Sequence, residues 1–356
     1  MTDPDATAAD SSSPGALTVS VSQQAPDWGE LLARSGQATL LHDPRWGRVM
    51  REAYGNRAYY VTAQRGPAVV GILQLVLQKS LLFGTHLCSL PYFDASGVLA
   101  DDREAADALV AEAARLRTTT GAEWVELRHL DALPGDLACR DDKVTLRLGL
   151  PDDPETLWAA FTPKVRNQVR KAEKAGLTLH AEPEATLDEF YAVYARTMRD
   201  LGSPPHSKRF FSRIRDHFGD AVRLYAVRQA GAPLAASLTL TDAATVRVPW
   251  AGADWRFRKL NANMLLYWGM LKDACTRGAA CFDFGRSTRD SGTHRFKKQW
   301  GAEEVTLHWQ YVLPEGGAPP EIRAENPKYR FLVNTWRRLP VFAARLIGPR
   351  IIRKLS

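Results

Sequence analysis

CFDFGRSTRDSGTHRFKKQWG, residues 281–301, sets apolar, acidic, glycine, basic and aromatic residues in a run that an ordinary core element does not need. Its first four residues have the character of a short buried strand. On this reading Gly285 ends the strand, and the polar run from Arg286 to Thr293 is a loop that turns at Ser291-Gly292. Thr293 is then placed to cap a helical turn in which Phe296 and Trp300 share one face, while Lys297 and Lys298 point elsewhere. Gly301 closes that turn. A strand running into a hydrogen-bonding loop and a short helix is where α/β proteins commonly hold ligands. Asp283, Arg286, His294, Phe296, Lys297 and Trp300 are therefore candidates for a site. The competing reading is a basic loop that is simply solvated.

Working outward, 356 residues exceed the usual single domain, so two domains of roughly 130 to 180 residues are expected. An apolar content of 45% supplies two cores. The second half reads as strands near 177–180, 222–228, 233–241, 245–250, 280–284 and 304–313, with helices near 187–200, 207–218 and 261–277. The first half has the same ingredients: strands near 17–22, 58–64, 68–78, 123–128 and 144–150, with helices near 27–34, 44–54 and 103–119. Pro154 and Pro163 open two further helices before Gly176. The expectation is an α+β chain of two like domains, 17–150 and 151–313. A disordered segment precedes them at 1–16, and a basic amphipathic tail follows at 314–356.

Charge and cysteine usage exclude several classes. The formal charge is +7, but residues 331–356 hold Arg337, Arg338, Arg345, Arg350, Arg353 and Lys354 and no acid, which leaves the remainder near +1. A chain-wide nucleic-acid coat is not the reading. Cys88, Cys139, Cys275 and Cys281 form no CxxC pair and the eight histidines no metal-ligand spacing, so neither a metal nor a disulfide framework is indicated. A reduced, cytoplasmic setting is expected. Asp3, Asp5 and Asp10 do not suit a signal peptide, and the apolar runs near Ala68–Leu77 and Ser80–Leu90 are too short to span a bilayer.

Three further stretches carry chemistry. In TPKVRNQVRKAEKAG, residues 162–176, Lys164, Arg166 and Arg170 stand with Lys171 and Lys174 against one acid, a set suited to phosphate or carboxylate. Tyr92 lies in the polar loop SLPYFDASG, residues 89–97, and Trp250, with Trp255, Trp268 and Trp300, lines a groove or fills a core. In the tail, Trp336, Leu339, Phe342, Leu346 and Ile347 can share a face opposite Arg338 and Arg345, the pattern of a segment seeking an anionic membrane surface. The alternative is a surface helix packed on the second domain.

VRNQVRKAEKAG (165–176), LNANMLLYWGMLKDACTRG (260–278), FDFGRS (282–287) and RFKKQWG (295–301), in that order and spacing, resemble the FemAB family of non-ribosomal peptidyl and acyl transferases. The likeness is greatest to the FemAB-like proteins that accompany exosortase and exopolysaccharide gene sets, and it covers about residues 17–313. The resemblance implies two tandem GNAT-like domains. It also implies transfer of an acyl or aminoacyl group to an amine of a cell-envelope or exopolysaccharide precursor, peptidoglycan bridges being the family's example. Phe296 and Lys297 take the family's Phe-Lys position beside the tetrahedral intermediate, with Trp300 where FKxxFG has phenylalanine. Lys164, Arg166 and Arg170 take the acceptor's phosphates. The donor, not tightly bound, is aminoacyl-tRNA or acyl-CoA. The chain lacks the helical arm of some bridge-forming members, which counts against tRNA. The span 256–262 lacks the glycines of an acetyltransferase pyrophosphate loop, which counts against acetyl-CoA and leaves Asn261 as a substrate contact or a plain N-cap. The alternatives are an acetyl-CoA-dependent GNAT N-acetyltransferase and a non-catalytic adaptor docked at the inner face of the cytoplasmic membrane.

Overall fold

Apolar runs bounded by turns give the N-terminal half its strands, with helices between them. β1 (Leu17–Ser22) is followed by α1 (Gly29–Arg34), α2 (Arg45–Tyr54), β2 (Arg57–Arg65) and β3 (Ala68–Ser80). Then come β4 (Gly84–Cys88), β5 (Leu99–Ala100), α3 (Arg103–Thr120), β6 (Trp124–His129), β7 (Ala138–Arg140) and β8 (Lys143–Gly149). The second half adds α4 (Pro154–Ala160), α5 (Pro163–Lys174), β9 (Thr178–Ala181), α6 (Leu187–Leu201), α7 (Lys208–Phe218), β10 (Val222–Gln229), β11 (Ala232–Asp242) and β12 (Thr245–Ala253). It finishes with α8 (Ala262–Thr276), β13 (Cys281–Thr288), α9 (Gly292–Lys298), β14 (Glu303–Thr306), β15 (His308–Val312) and α10 (Val341–Ile352). This computed structural model describes residues 15–80, 84–320 and 333–353. The expected disorder of the first fourteen residues, part of the apolar run 80–90 and the tail's Lys354 lie outside the described residues.

The strands form two sheets, β1-β2-β3-β4-β6-β15-β7 with β5 on β3, and β14-β8-β13-β12-β11-β10-β9. Each carries helices, as expected of tandem α+β domains. The boundaries drawn at 150/151 and 313 need correction, because each sheet borrows a strand from the other half. β8 pairs with β13 and β14 in the second sheet, while β15 pairs with β6 and β7 in the first. The cause is a two-stranded ribbon: β7–β8 runs antiparallel to β14–β15, from Tyr311 opposite Ala138 to Glu303 opposite Arg147. The ribbon passes from one sheet to the other at Leu307, whose N–H donates to the Lys143 carbonyl at 3.0 Å. The single strand expected at 304–313 is divided there.

One apolar cluster then welds the halves. Trp46 and Phe93 from the first meet Phe218 and Trp250 from the second, with ring centroids 4.4 Å apart for Trp46–Phe93 and Trp46–Phe218 and 5.4 Å for Phe93–Trp250. Aromatic pairs at such separations contribute beyond their buried area.

Two readings of the 281–301 stretch change. β13 does not stop at Gly285 but continues to Thr288, with a bulge between Asp283 and Arg286 against β8. Gly285 has φ +75°, and a Cβ there would lie 2.8 Å from the Val248 carbonyl oxygen, so glycine makes the bulge possible rather than ending the strand. The helix cap is Ser291, not Thr293: its Oγ accepts from the His294 N–H at 3.1 Å, and α9 starts at Gly292, two residues earlier than a Thr293 cap would allow.

Candidate active site

β13 alternates across its sheet, as any strand must. Phe282 and Phe284 enter the core beneath α5 and α8, whereas Asp283 faces the other side, toward the first half of the chain. β12 and β13 pair in parallel only from Thr245–Arg247 with Cys281–Asp283, and beyond that point the Gly285 bulge and α9 close a cavity of about 130 Å³. Tyr92 and Asp94 from the loop after β4, Arg247 from β12, Asp283 and Arg286 from β13, and Lys297 from α9 line it. A second cavity of about 410 Å³ shares Ala95, Leu130 and Arg247 with the first and adds Arg128, His129 and Arg147.

Lys297 is buried, with 8% of its surface exposed, as is Arg247 beside it. Its ammonium donates to the carbonyls of Gly285 at 2.7 Å and Arg286 at 2.8 Å, which uses two of its three protons. Burial pushes its pKa down to about 8; Asp94 and Asp283 oppose that shift and Arg286 adds to it. Asp283 is buried and accepts from the Thr145 hydroxyl and, at 2.8 Å, from the Gly285 N–H. Arg247 and Arg147 flank the Asp283 carboxylate at 3.4 and 3.5 Å. Arg286 pairs with Asp94 at 3.1 Å and lies over the Trp309 ring, where Arg128 also stacks. Arg128 in turn donates to the Phe93 carbonyl and to Glu126, fixing the loop that carries Asp94. Four cations thus face two carboxylates, an excess of positive charge in a partly dehydrated cleft.

Other expected contacts lie elsewhere. Phe296 is half-buried and meets Tyr267 edge-on at 5.0 Å, so it braces α9 from the core side instead of lining the cavity. Trp300 is a core residue, 1% exposed, between Phe161 and Tyr267, and Trp250 packs among Phe93, Phe210 and Phe211. A proton-transfer role for His294 does not fit its place: buried in α9, it accepts from the Asp290 N–H and sits 2.9 Å from Glu304. Asn261 occupies the N-cap position of α8 in a left-handed conformation, φ +57°, without a side-chain capping bond. Lys164, Arg166 and Arg170 ride on α5, whose Val165, Val169 and Ala172 are buried against the opposite face of the sheet. Arg166 donates to the Ala159 carbonyl and Arg170 lies over Trp158, so this basic stripe is not joined to the Lys297 cavity. Asp94, Thr145, Arg147 and Arg247 were not singled out from sequence. A hint was available only for Arg247, a charge between Val246 and Val248 in an otherwise apolar strand.

The loop that would hold a CoA pyrophosphate does not fit one. Trp255–Leu260 is a tight 3-10 turn without glycine, and the Asp254 carboxylate already occupies its N-terminal N–H, accepting from Arg256 at 3.1 Å. Among the described residues no cluster of metal-ligating side chains is present, and no helix is long and apolar enough to cross a membrane.

Fold and sequence together define the class: an acyltransferase with tandem GNAT-like domains. Residues 160–298 match the acetyltransferase (GNAT) domain family. No curated protein sequence matches the chain. Among solved structures the chain is similar to FemX, with 15% identity over 80% of this chain and 94% of that one and a TM-score of 0.59. It is similar also to a tandem GNAT protein from the clavulanic acid biosynthesis pathway, with 14% identity over 85% and 100% of the two chains and a TM-score of 0.51. L-PGS from Bacillus licheniformis gives 15% identity over 91% and 98%, with a TM-score of 0.51. At these identities the likeness is one of fold.

Proposed function

We propose that this acyltransferase moves an acyl or aminoacyl group from an ester or thioester carrier to an amine of an anionic cell-envelope or exopolysaccharide precursor, using the cavity around Lys297. The observation that carries the reading is the Lys297 ammonium itself: buried, held by two carbonyls, and one donor short of saturation. The amine nitrogen attacks the carbonyl carbon, and the carbonyl oxygen takes the negative charge. Collapse of that intermediate forms the amide and expels the carrier's oxygen or sulfur, which leaves with the proton the amine has lost. An α-amine is already partly neutral near pH 7, so a strong side-chain base is not required. One well-placed donor to the oxyanion contributes about 2.7 to 4 kcal/mol, and Lys297 or Arg286 supplies it. The excess of arginine over carboxylate favours an anionic acceptor, while the fit of Trp255–Leu260 disfavours acetyl-CoA as donor.

The test is mass spectrometry of envelope and exopolysaccharide precursors from cells with the gene, without it, and carrying Lys297→Ala. The reading expects an acyl or aminoacyl mass present only with the unaltered gene. Identical precursor masses in all three strains would overturn it.

A further inference from the structure

Helix α10 is packed the wrong way round for a helix that only covers a protein surface. Its buried residues are small: Ala344 and Gly348 face α6 and the segment before α7, and a Cβ on Gly348 would fall 2.5 Å from the Pro205 ring. Its large apolar residues point outward, with Phe342 74%, Leu346 66% and Ile347 41% exposed. Close approach through alanine and glycine fixes which side is inward, so the apolar side has no rotation available that would hide it. Cations surround this side. Arg345 and Arg350 are exposed on the helix and Arg353 just after it, Arg337 and Arg338 precede it, and residues 331–356 contain no acid to balance them.

A second patch of the same composition borders the first. The turn Trp255–Leu260 exposes Trp255 (57%) and Phe257 (38%) beside Arg256, Arg258 and Lys259. It adjoins the C-terminal end of α6 through the Arg196–Asp254 pair, and at that end Leu201 is 57% exposed and its carbonyl accepts from Arg337. Trp, Phe, Leu and Ile interleaved with Arg and Lys, on elements too short to span a bilayer, match an anionic lipid surface in both apolar insertion and charge.

We infer that α10, with the Trp255–Leu260 turn, is a docking surface for an anionic membrane. The surface does not depend on which group the Lys297 cavity transfers. Tyr92, which lines that cavity, donates to the Ile352 carbonyl at the end of α10, so a docked molecule holds its cavity close to the lipid.

The test is co-sedimentation of the full chain with phosphatidylcholine vesicles, with and without phosphatidylglycerol, at low and high salt. Binding is expected only with phosphatidylglycerol and is expected to weaken with salt. Replacing Phe342, Leu346 and Ile347 together by serine should weaken it by roughly tenfold or more, and Arg350→Glu with Arg353→Glu should remove the preference for anionic lipid. These side chains are exposed, and unchanged thermal unfolding of each variant verifies that the fold survives. Failure to bind anionic vesicles, or binding indifferent to both sets of changes, overturns the inference. So does a dimer in solution that Leu346→Ser dissociates, which would assign the face to a second copy of the chain.

Discussion

The Lys297 ammonium lies 2.7 Å from the carbonyl oxygen of Gly285, the residue at which β13 bulges away from its regular pairing. A left-handed glycine turns that carbonyl toward the lysine, and the lysine ties α9 back onto the strand. Bulge, helix and buried charge are one construction.

Lys297→Ala is expected to lower the transfer rate by about 10²- to 10³-fold, the usual loss for one donor to a developing oxyanion. Far-ultraviolet circular dichroism should be unchanged, and Lys297→Arg should keep part of the rate. Full activity in Lys297→Ala would move the chemistry to another group.

Lys297 also sets a pH dependence. Its pKa is about 8 in the folded chain against 10.5 ordinarily, so between those values the unfolded chain binds the proton and the folded chain does not. The lysine's contribution to stability is therefore complete above pH 10.5 and lost as pH falls through 8. Relative to Lys297→Met, the unaltered protein should gain about 3 kcal/mol across that window in denaturant melts. Where the ammonium is the donor, the transfer rate should fall as pH rises through about 8, and Lys297→Arg should lose that limb.

Gly285→Ala is expected to destabilise the chain by about 2 kcal/mol or more, because the position has a left-handed φ and the new methyl would meet the Val248 carbonyl oxygen. Since Val248 is backbone in a central strand, relief requires β13 to move, and the transfer rate should fall with stability. Urea unfolding beside a rate measurement checks both.

Acid should loosen the junction between the halves. Burial lowers the pKa of His206 to about 3, and its ring accepts from the Tyr54 hydroxyl at 2.8 Å or donates to it. The unfolded chain protonates near pH 6.5, so His206 contributes stability that is complete above 6.5 and declines as pH falls toward 3. His206→Gln should flatten the loss of melting temperature over that range.

Arg247→Gln is expected to raise KM for an anionic acceptor by roughly tenfold, while Arg166→Gln with Arg170→Gln changes it little. Arg247 lines both cavities, whereas α5 lies across the sheet. Initial-rate kinetics on the two variants decide between them, and a large effect of the α5 pair would place the acceptor on that helix.

Most of the helices and strands could be read from sequence because periodicity and helix-opening prolines are local: Pro154 and Pro163 mark helix starts regardless of what lies nearby. Asp283, Arg286 and Lys297 were legible as a site for the same reason, since one short stretch carries them. What the sequence by itself determined was therefore most of the elements and the gathering of Asp283, Arg286 and Lys297 in one short stretch. Only the tertiary structure decided that β8 and β15 change sheets, because a ribbon's crossover depends on partners more than a hundred residues away. Only it brought Asp94, Arg147 and Arg247 to Lys297 and set the basic helix α5 apart, because alternation along a strand states that neighbours face opposite ways but not which face meets the other domain.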